Sequence, residues 1–167
     1  MRDRALSVLA GEYNPVPNDP SVNIAIPTFN RADLLRLSLH SALSQDYSNF
    51  RITIIDNASS DATDAVVRSF PGERVTHIRN NENIGQFRNW NKALSLNDSD
   101  FVMILQDDDI IHESFVSKSV SALVDRPEAA FSFSDASEID IAGDVIANQR
   151  NCDRIPPGLL QGDDYLE

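Results

Sequence analysis

Hydrophobic and polar positions alternate along this chain in segments of two lengths. Short β-branched or continuously apolar runs predict buried strands at Val22–Ile26, Arg51–Ile55, Arg74–Ile78, Phe101–Leu105 and Ala129–Phe133. Longer segments with apolar residues at helical spacing predict helices at Ala32–Leu43, Ala62–Phe70, Gln86–Leu96 and His112–Val124. Phe101–Leu105 has no polar position, which favours a central strand covered on both faces.

This repeated alternation predicts an α/β fold, a mostly parallel sheet flanked by helices with right-handed crossovers. On the third helix, Phe87, Trp90, Ala93 and Leu94 share one helical face, which predicts that this face is buried. The pattern changes after Ser134. Two short runs flank Ala142-Gly143-Asp144 and predict a small β-hairpin near the C-terminus.

Composition and charge restrict the function classes. The 167 residues are 41% hydrophobic and 24% charged, which is ordinary for one globular domain and excludes a wholly disordered chain. With 26 acidic and 14 basic residues the net charge is −12, and no basic stripe is present. Binding to nucleic acid or to anionic lipid through a basic patch is therefore disfavoured. A phosphate compound can still bind if a metal cation lies between the negative partners.

The single cysteine, Cys152, cannot form an internal disulfide, and no apolar run reaches the length of a membrane span. We therefore expect a cytoplasmic protein with no transmembrane segment.

Polar side chains follow each of the first four predicted strands at its carboxyl end, where open parallel sheets bind their ligands. The three consecutive aspartates Asp107–Asp109 are the sharpest of these features. Two carboxylates about 4 Å apart repel by roughly 4 kcal/mol at an effective dielectric near 20, and a hard cation such as Mg²⁺ or Mn²⁺ offsets that repulsion. The alternative is an acidic loop that stabilises the start of the following helix.

Two further residues have a structural and a functional interpretation. Asp56 either ends a strand and begins a turn, or accepts a hydrogen bond from a ligand ring. Arg88 is either a solvated charge or a phosphate ligand. The sequence has no Walker motif and no GxGxxG, which weakens the kinase, NTPase and dinucleotide-binding interpretations.

Four segments in order resemble glycosyltransferase family 2, a group of inverting enzymes with the Rossmann-like GT-A fold. They are VNIAIPTFNRADLLRLSLHSALSQDY, FRITIIDNASSDAT, NNENIGQFRNWNKAL and FVMILQDDDII. The last is similar to that family's fourth strand and DxD-type metal motif. The resemblance extends from Val22 to about Ile146.

The resemblance implies a site for a nucleoside-diphosphate sugar, most simply a UDP- or dTDP-sugar. Pro27, Thr28 and Asn30 would line the base and ribose. Asp56 would accept a hydrogen bond from the base, and Arg88 is a weaker candidate for the diphosphate.

The resemblance also implies a Mn²⁺ or Mg²⁺ site. Asp108 is the first choice as a metal ligand, Asp109 the next, and Asp107 would face the ribose or the metal shell. The metal would bridge the phosphates as a Lewis acid. Two positions depart from the family pattern: Asn57 replaces an acidic residue, and so does Gln106.

We accordingly expect a leader at 1–20, a nucleotide-sugar-binding α/β subdomain at 21–135, and at 136–167 the start of an acceptor-side region that the chain does not complete. The full reaction would transfer the sugar with inversion to a saccharide or lipid-linked acceptor, as in polysaccharide biosynthesis, at the inner face of the membrane for a lipid-linked one. The general base of an inverting transfer normally lies later than Asp135, Glu138 and Asp140, so no catalytic residue is assigned.

Two alternatives to a complete enzyme remain open. The first is a non-catalytic nucleotide-binding fragment that lacks the acceptor half and the general base. The second is a phosphoryl-transfer or receiver-like domain with an acidic metal pocket, which would need a lysine at that pocket. Lys92 and Lys118, the only lysines, both fall within predicted helices, which disfavours this alternative.

Overall fold

The structure, a computed structural model, describes residues 17–70 and 72–149. The chain divides into two compact units, Met1–Val120 and Ser121–Glu167. Most of the predicted leader, Cys152 and the end of the predicted 136–167 region lie outside the described residues. The predicted boundaries at residues 20 and 135 stay predictions.

A parallel sheet forms the centre of the first unit. Its strands are β1 (Val22–Thr28), β2 (Phe50–Asp56), β3 (Val75–Arg79) and β4 (Phe101–Ile104), in the order β3-β2-β1-β4. The helices are α1 (Ala32–Leu43), α2 (Thr63–Arg68), α3 (Gln86–Ser95) and α4 (Phe115–Asp125), the last of which crosses the boundary between the units. The predicted α/β class with a mostly parallel sheet is confirmed.

The chain direction across the sheet reverses once. It proceeds from β1 through β2 to β3 and then returns past β1 to β4. Because such crossovers are right-handed, α1 and α2 lie on one face of the sheet and α3 lies on the other. Helix α1 packs against α2, whereas α3 packs on β1, β2 and β4. The reversal creates a topological switch point between β1 and β4.

The core lies between the central strands and the helices that cover them. All seven residues of β1 are buried. Ile24, Ile26, Ile52 and Ile54 are completely excluded from solvent, as β-branched residues of central parallel strands are expected to be. From α1, Leu35 and Leu39 are equally buried, and the predicted bounds of α1 are confirmed.

Pro27 lies inside a central strand, where proline is normally excluded because it cannot donate a ladder hydrogen bond. The Ala25 carbonyl accepts from Leu105 N–H on the β4 side, and the Thr28 carbonyl accepts from Asn57 N–H on the β2 side. Alternate residues of β1 therefore face opposite neighbours, and the Pro27 nitrogen faces β4. The β1–β4 ladder ends at Ala25 and Ile104, so the proline interrupts no bond.

Two strand predictions are wrong. Within the described residues β4 is an edge strand of the sheet, and Val102 is 38% exposed, so Phe101–Leu105 is not a central strand covered on both faces. Residues 129–133 form no strand, and Phe131 and Phe133 are exposed. A strand requires a ladder partner as well as apolar, β-prone residues, and the sequence pattern reports only the latter.

The prediction for the buried face of α3 is also mostly wrong. Ala93 is buried as predicted, but its buried neighbour is Asn89. Phe87 is 75% exposed and packs edge-on against Trp90, with 6.0 Å between ring centroids, and Leu94 is 48% exposed. The small and polar side of this helix faces the sheet because hydrogen bonds satisfy Asn89 there.

The second unit contains the predicted hairpin. Strands β5 (Ala136–Ile139) and β6 (Val145–Gln149) pair antiparallel. Asp140 Oδ1 accepts hydrogen bonds from Ala142 N–H and Asp144 N–H in the turn, and Gly143 has a positive φ of 89° there. Among the described residues, no helix has the length and apolar character needed to cross a membrane.

Candidate functional site

The carboxyl ends of β1 and β4 meet at the switch point of the sheet, where open α/β sheets bind ligands. The segment after β1 contributes Asn30 and Arg31, and the segment after β4 contributes Asp107–Asp109. The next strand, β2, ends at Asp56 and leads into a loop from Asn57 to Asp61. The topology therefore brings three loops with predicted site residues to one edge.

A buried hydrogen bond joins the first and fourth strands. Thr28 Oγ1 donates to Asp107 Oδ2 over 2.8 Å, and Asp107 is only 5% exposed. Burial raises the pKa of Asp107 above its ordinary value, although the Thr28 hydrogen bond and the Arg31 charge act in the opposite direction. The site thus holds a carboxylate whose negative charge is costly unless a cation or a donor compensates it.

Arg31 compensates that charge. Its Nη1 atom lies 3.3 Å from Asp107 Oδ1 and 2.6 Å from Asp108 Oδ2, so one nitrogen bridges two carboxylates. The Arg31 backbone also begins α1, since its carbonyl accepts the Leu35 N–H over 2.9 Å. The start of α1 therefore brings a positive charge to the aspartates.

The aspartate loop is anchored through its backbone. Ser38 Oγ, on α1, lies 2.5 Å from the carbonyl oxygen of Asp109 and 3.2 Å from that of Gln106, so its single hydrogen is donated mainly to Asp109. Burial, with the charges of Asp108 and Asp107, raises the pKa of Asp109. Asp108 is exposed apart from its pair with Arg31.

Carboxylate oxygens are the ligand atoms that Mg²⁺ and Mn²⁺ prefer. Burial and the repulsion between neighbouring carboxylates both favour binding of a cation at Asp107–Asp109. The chemistry of these side chains therefore fits a divalent ion. The side chains are not yet gathered around one point. In the parts of the chain from 17 to 70 and from 72 to 149, no group of three acidic, histidine or cysteine side chains is arranged to hold a metal. The arrangement is organised around Arg31 instead.

The loops after β1 and β2 are bonded to each other. Asn30 N–H donates to Ser59 Oγ over 2.9 Å, and Asn30 Oδ1 accepts the Ser60 N–H over 2.7 Å. Asn30 and Ala58 have φ angles of 53° and 66°, in the left-handed region that a non-glycine residue rarely adopts. Such strain persists where surrounding bonds hold it, and it concentrates at functional sites.

Asp56 lies below these loops with no exposed surface. Its Oδ1 atom accepts the Ser59 N–H over 2.8 Å, and its Oδ2 atom accepts from Arg79 Nη1 over 2.8 Å. His77 Nε2 lies 3.5 Å from the same Oδ2 and has no hydrogen-bond partner. In this conformation both carboxylate oxygens of Asp56 accept hydrogen bonds from the protein, and the side chain shapes the loop from within.

A network of amide side chains connects β2, β3 and α3. Asn80 Nδ2 donates to Asn57 Oδ1 (3.0 Å) and to Asn89 Oδ1 (2.8 Å), and Lys92 Nζ donates to Asn80 Oδ1 (2.6 Å). Asn89 Nδ2 donates to the carbonyl of Ile55 over 2.8 Å. The network attaches the polar face of α3 to the strand ends, beside the predicted site.

Arg88 is the predicted residue least connected to the site. It lies exposed on α3, and the described residues offer it no hydrogen bond or ion pair. Sequence reasoning did not identify Arg31, Arg79 or the amide network. A signal for Arg31 existed, because three adjacent aspartates need a cation and Arg31 directly follows the predicted Asn30.

Comparisons with known proteins agree with this architecture. Residues 23–152 match the sequence family described as Glycosyl transferase family 2. A putative colanic acid biosynthesis glycosyl transferase, WcaA of Escherichia coli, is 33% identical over 94 residues, covering 55% of this chain and 34% of WcaA. A Campylobacter jejuni GalNAc(5)-diNAcBac-PP-undecaprenol beta-1,3-glucosyltransferase is 30% identical over 115 residues, covering 67% of this chain and 36% of that protein.

Solved structures show the same fold. The mannosyltransferase PcManGT from Pyrobaculum calidifontis, in complex with GDP-Man and Mn²⁺, is 27% identical with a TM-score of 0.60, covering 69% of this chain and 36% of that one. Staphylococcus aureus TarS with UDP-GlcNAc has a TM-score of 0.61 at 21% identity, covering 64% and 32%. The chain spans about a third of the length of WcaA and of the Campylobacter glucosyltransferase (34% and 36%). It belongs to glycosyltransferase family 2, with the GT-A fold.

Proposed function

We propose that this chain binds the nucleoside-diphosphate sugar of a glycosyl-transfer reaction at the β1–β4 switch point, through Mn²⁺ or Mg²⁺. The observation that carries the proposal is the buried bond from Thr28 to Asp107. It fixes an acidic loop at the edge where open α/β sheets receive their ligands. The acidic net charge of −12 supports a metal intermediary, because a diphosphate would otherwise meet negative charge.

In this proposal the base and ribose lie against the loops that follow β1 and β2. Of the residues assigned to it, Asn30 is exposed at that surface, whereas Pro27 and Thr28 are buried at the end of β1. The two bonds between Asn30 and the Ser59–Ser60 segment keep the loops together. Asp56 stays among the base-site residues. Its buried carboxylate orients the Ser59 N–H, and a direct bond to the base requires the loop to open.

Asp108 holds the metal ion, with Asp109 next and Asp107 closest to the ribose. When bound, the ion supplies Lewis-acid stabilisation to the diphosphate that leaves the sugar. The chain's own contribution is to position the acidic loop, through Thr28 and through the Ser38 hydroxyl. Arg88, on the exposed side of α3, is the candidate to contact the diphosphate.

The full-length reaction in this proposal is inverting transfer of the sugar to a saccharide or lipid-linked acceptor, on the cytoplasmic side of the membrane. The name of the Campylobacter relative, which includes an undecaprenol-linked saccharide, supports this acceptor class. This chain spans 36% of that relative, so its acceptor, its general base and the transfer itself belong to the proposal. A chain that binds the nucleotide without transferring sugar is the alternative.

Titration calorimetry with UDP, dTDP and GDP, with and without Mn²⁺, tests the proposal. The variants are Asp108→Asn and the matched control Asp46→Asn, since Asp46 is an exposed aspartate outside the site. We expect Mn²⁺-dependent binding of one nucleotide that Asp108→Asn weakens at least tenfold, about 1.4 kcal/mol, and that Asp46→Asn leaves unchanged. Binding that is indifferent to Mn²⁺, or equally lowered by both substitutions, contradicts the metal-bridged site.

A further inference from the structure

The Arg31 side chain binds the carboxylate oxygens that the proposed metal would need. Its Nη1 atom lies between Asp107 Oδ1 and Asp108 Oδ2, at 3.3 and 2.6 Å. Both contacts come from the same nitrogen, and they are the side-chain contacts that Arg31 makes in the described chain. A divalent cation on these carboxylates and a guanidinium at this distance would repel each other strongly.

We propose that Arg31 is a built-in counter-ion that occupies the acidic site before metal binding and that Mn²⁺ or Mg²⁺ displaces. The inference rests on the proposed metal-dependent function. Arg31 supplies one positive charge to Asp107 and Asp108 in the free protein, so the metal must compete with an internal cation. The strength of that competition sets how tightly the ion binds in the absence of nucleotide.

Exposure and backbone geometry permit the displacement. The Arg31 side chain is 49% exposed, so it can rotate into solvent while the Asp107 side chain, 7% exposed, stays in place. The role of Arg31 in starting α1 belongs to its carbonyl, which accepts the Leu35 N–H. Replacing the side chain therefore leaves the beginning of the helix intact.

A purely structural ion pair is the competing explanation, and metal affinity separates the two. A structural pair would lose stability on substitution without changing affinity for the ion. A displaced counter-ion predicts a gain in affinity, because the substitution removes both a competitor for the oxygens and a repulsive charge. Charge-assisted hydrogen bonds are stronger than neutral ones, so the gain should be measurable.

The experiment measures Mn²⁺ binding to the whole chain without nucleotide, from the electron paramagnetic resonance signal of the free aquo ion. The variants are Arg31→Gln and Arg31→Lys, with Arg36→Gln as the control. Arg36 lies on α1 and its side chain bonds Ser69, so Arg36→Gln makes the same change of net charge away from the aspartates. We expect Arg31→Gln to bind Mn²⁺ about tenfold more tightly than the wild type, equal to about 1.4 kcal/mol. Arg31→Lys should remain near the wild type, and Arg36→Gln should match it.

Thermal unfolding with and without Mn²⁺ gives a second readout. Removing the counter-ion leaves the aspartates uncompensated, so Arg31→Gln should melt lower than the wild type without metal and gain more from added Mn²⁺. The counter-ion role is overturned if Arg31→Gln and Arg36→Gln bind Mn²⁺ with equal affinity. If Asp108→Asn abolishes Mn²⁺ binding in the same series, the proposed function still stands. Absence of Mn²⁺ binding in every variant, with or without UDP, overturns both.

Discussion

Thr28 and Asp107 lie 79 positions apart and share one buried hydrogen bond. Taken alone, Thr28 is a residue at the end of a strand and Asp107 is a residue of an acidic loop. Together they fix the distance between two strand ends and leave a carboxylate whose pKa burial has raised. The properties of this site therefore arise from pairs of residues, and a substitution at one partner is felt at the other.

At this scale Thr28→Val should destabilise the protein by about 1.5–3 kcal/mol at neutral pH, since it removes the donor to a buried charged group and keeps the side-chain shape. Urea unfolding measures the loss. The control is Thr53→Val, which removes the buried bond from Thr53 Oγ1 to the neutral Asn23 Oδ1 at the same 2.8 Å distance and should cost about 0.5–1.5 kcal/mol. Equal losses would show that the charge on Asp107 contributes nothing.

Among the elements, α3 shows how a helix can bury its polar side. Its sequence pattern indicates an apolar face of aromatic and aliphatic residues, yet Phe87 and Leu94 are exposed while Asn89 is buried. The amide network decides the orientation, because Asn89 bonds both the Ile55 carbonyl and Asn80. Without those partners the buried Asn89 amide would cost about 1–3 kcal/mol.

Two truncations on α3 test this orientation. Asn89→Ala should lower the free energy of unfolding by about 1–3 kcal/mol, since it leaves buried donors and acceptors without partners. Phe87→Ala should cost about 1 kcal/mol or less, corresponding to its edge-on contact with Trp90. Chemical denaturation of the two variants gives the comparison. A larger loss for Phe87→Ala would mean that the aromatic face is the buried one.

For the whole molecule, the net charge of −12 acts on stability as well as on ligand choice. Repulsion among the many negative charges destabilises the folded chain. It adds to the local repulsion among Asp107–Asp109 at the carboxyl edge of the sheet. The Arg31 guanidinium and the proposed metal ion both reduce this repulsion locally, in a protein whose net charge is negative.

Salt should consequently stabilise the protein near neutral pH. Between about 0.01 and about 1 M sodium chloride the Debye length falls from about 30 to about 3 Å, which screens the repulsion. We expect the urea midpoint to rise, by about 0.5 M for a gain of about 1 kcal/mol. The same salt step near the isoelectric point of 4.5 should have little effect. A midpoint that falls with salt at neutral pH would contradict the argument.

The amino-acid sequence by itself determined the α/β class, the bounds of α1, the hairpin and the family, because these depend on periodicity and on short motifs that are read locally. It also indicated the loops that meet at the sheet edge, since parallel strands end on one side. The edge position of β4 and the missing strand at 129–133 depend on ladder partners, which periodicity does not report.

Only the tertiary structure decided which side chains compensate one another. Arg31 meets Asp107 and Asp108 across 76 and 77 positions, and Arg79 meets Asp56 across 23. Charge pairing and burial are properties of residues brought together by the sheet, and no local pattern contains them. For that physical reason the sequence predicted that the acidic residues require a compensating cation, whereas only the folded chain showed that Arg31 is the residue that pairs with them.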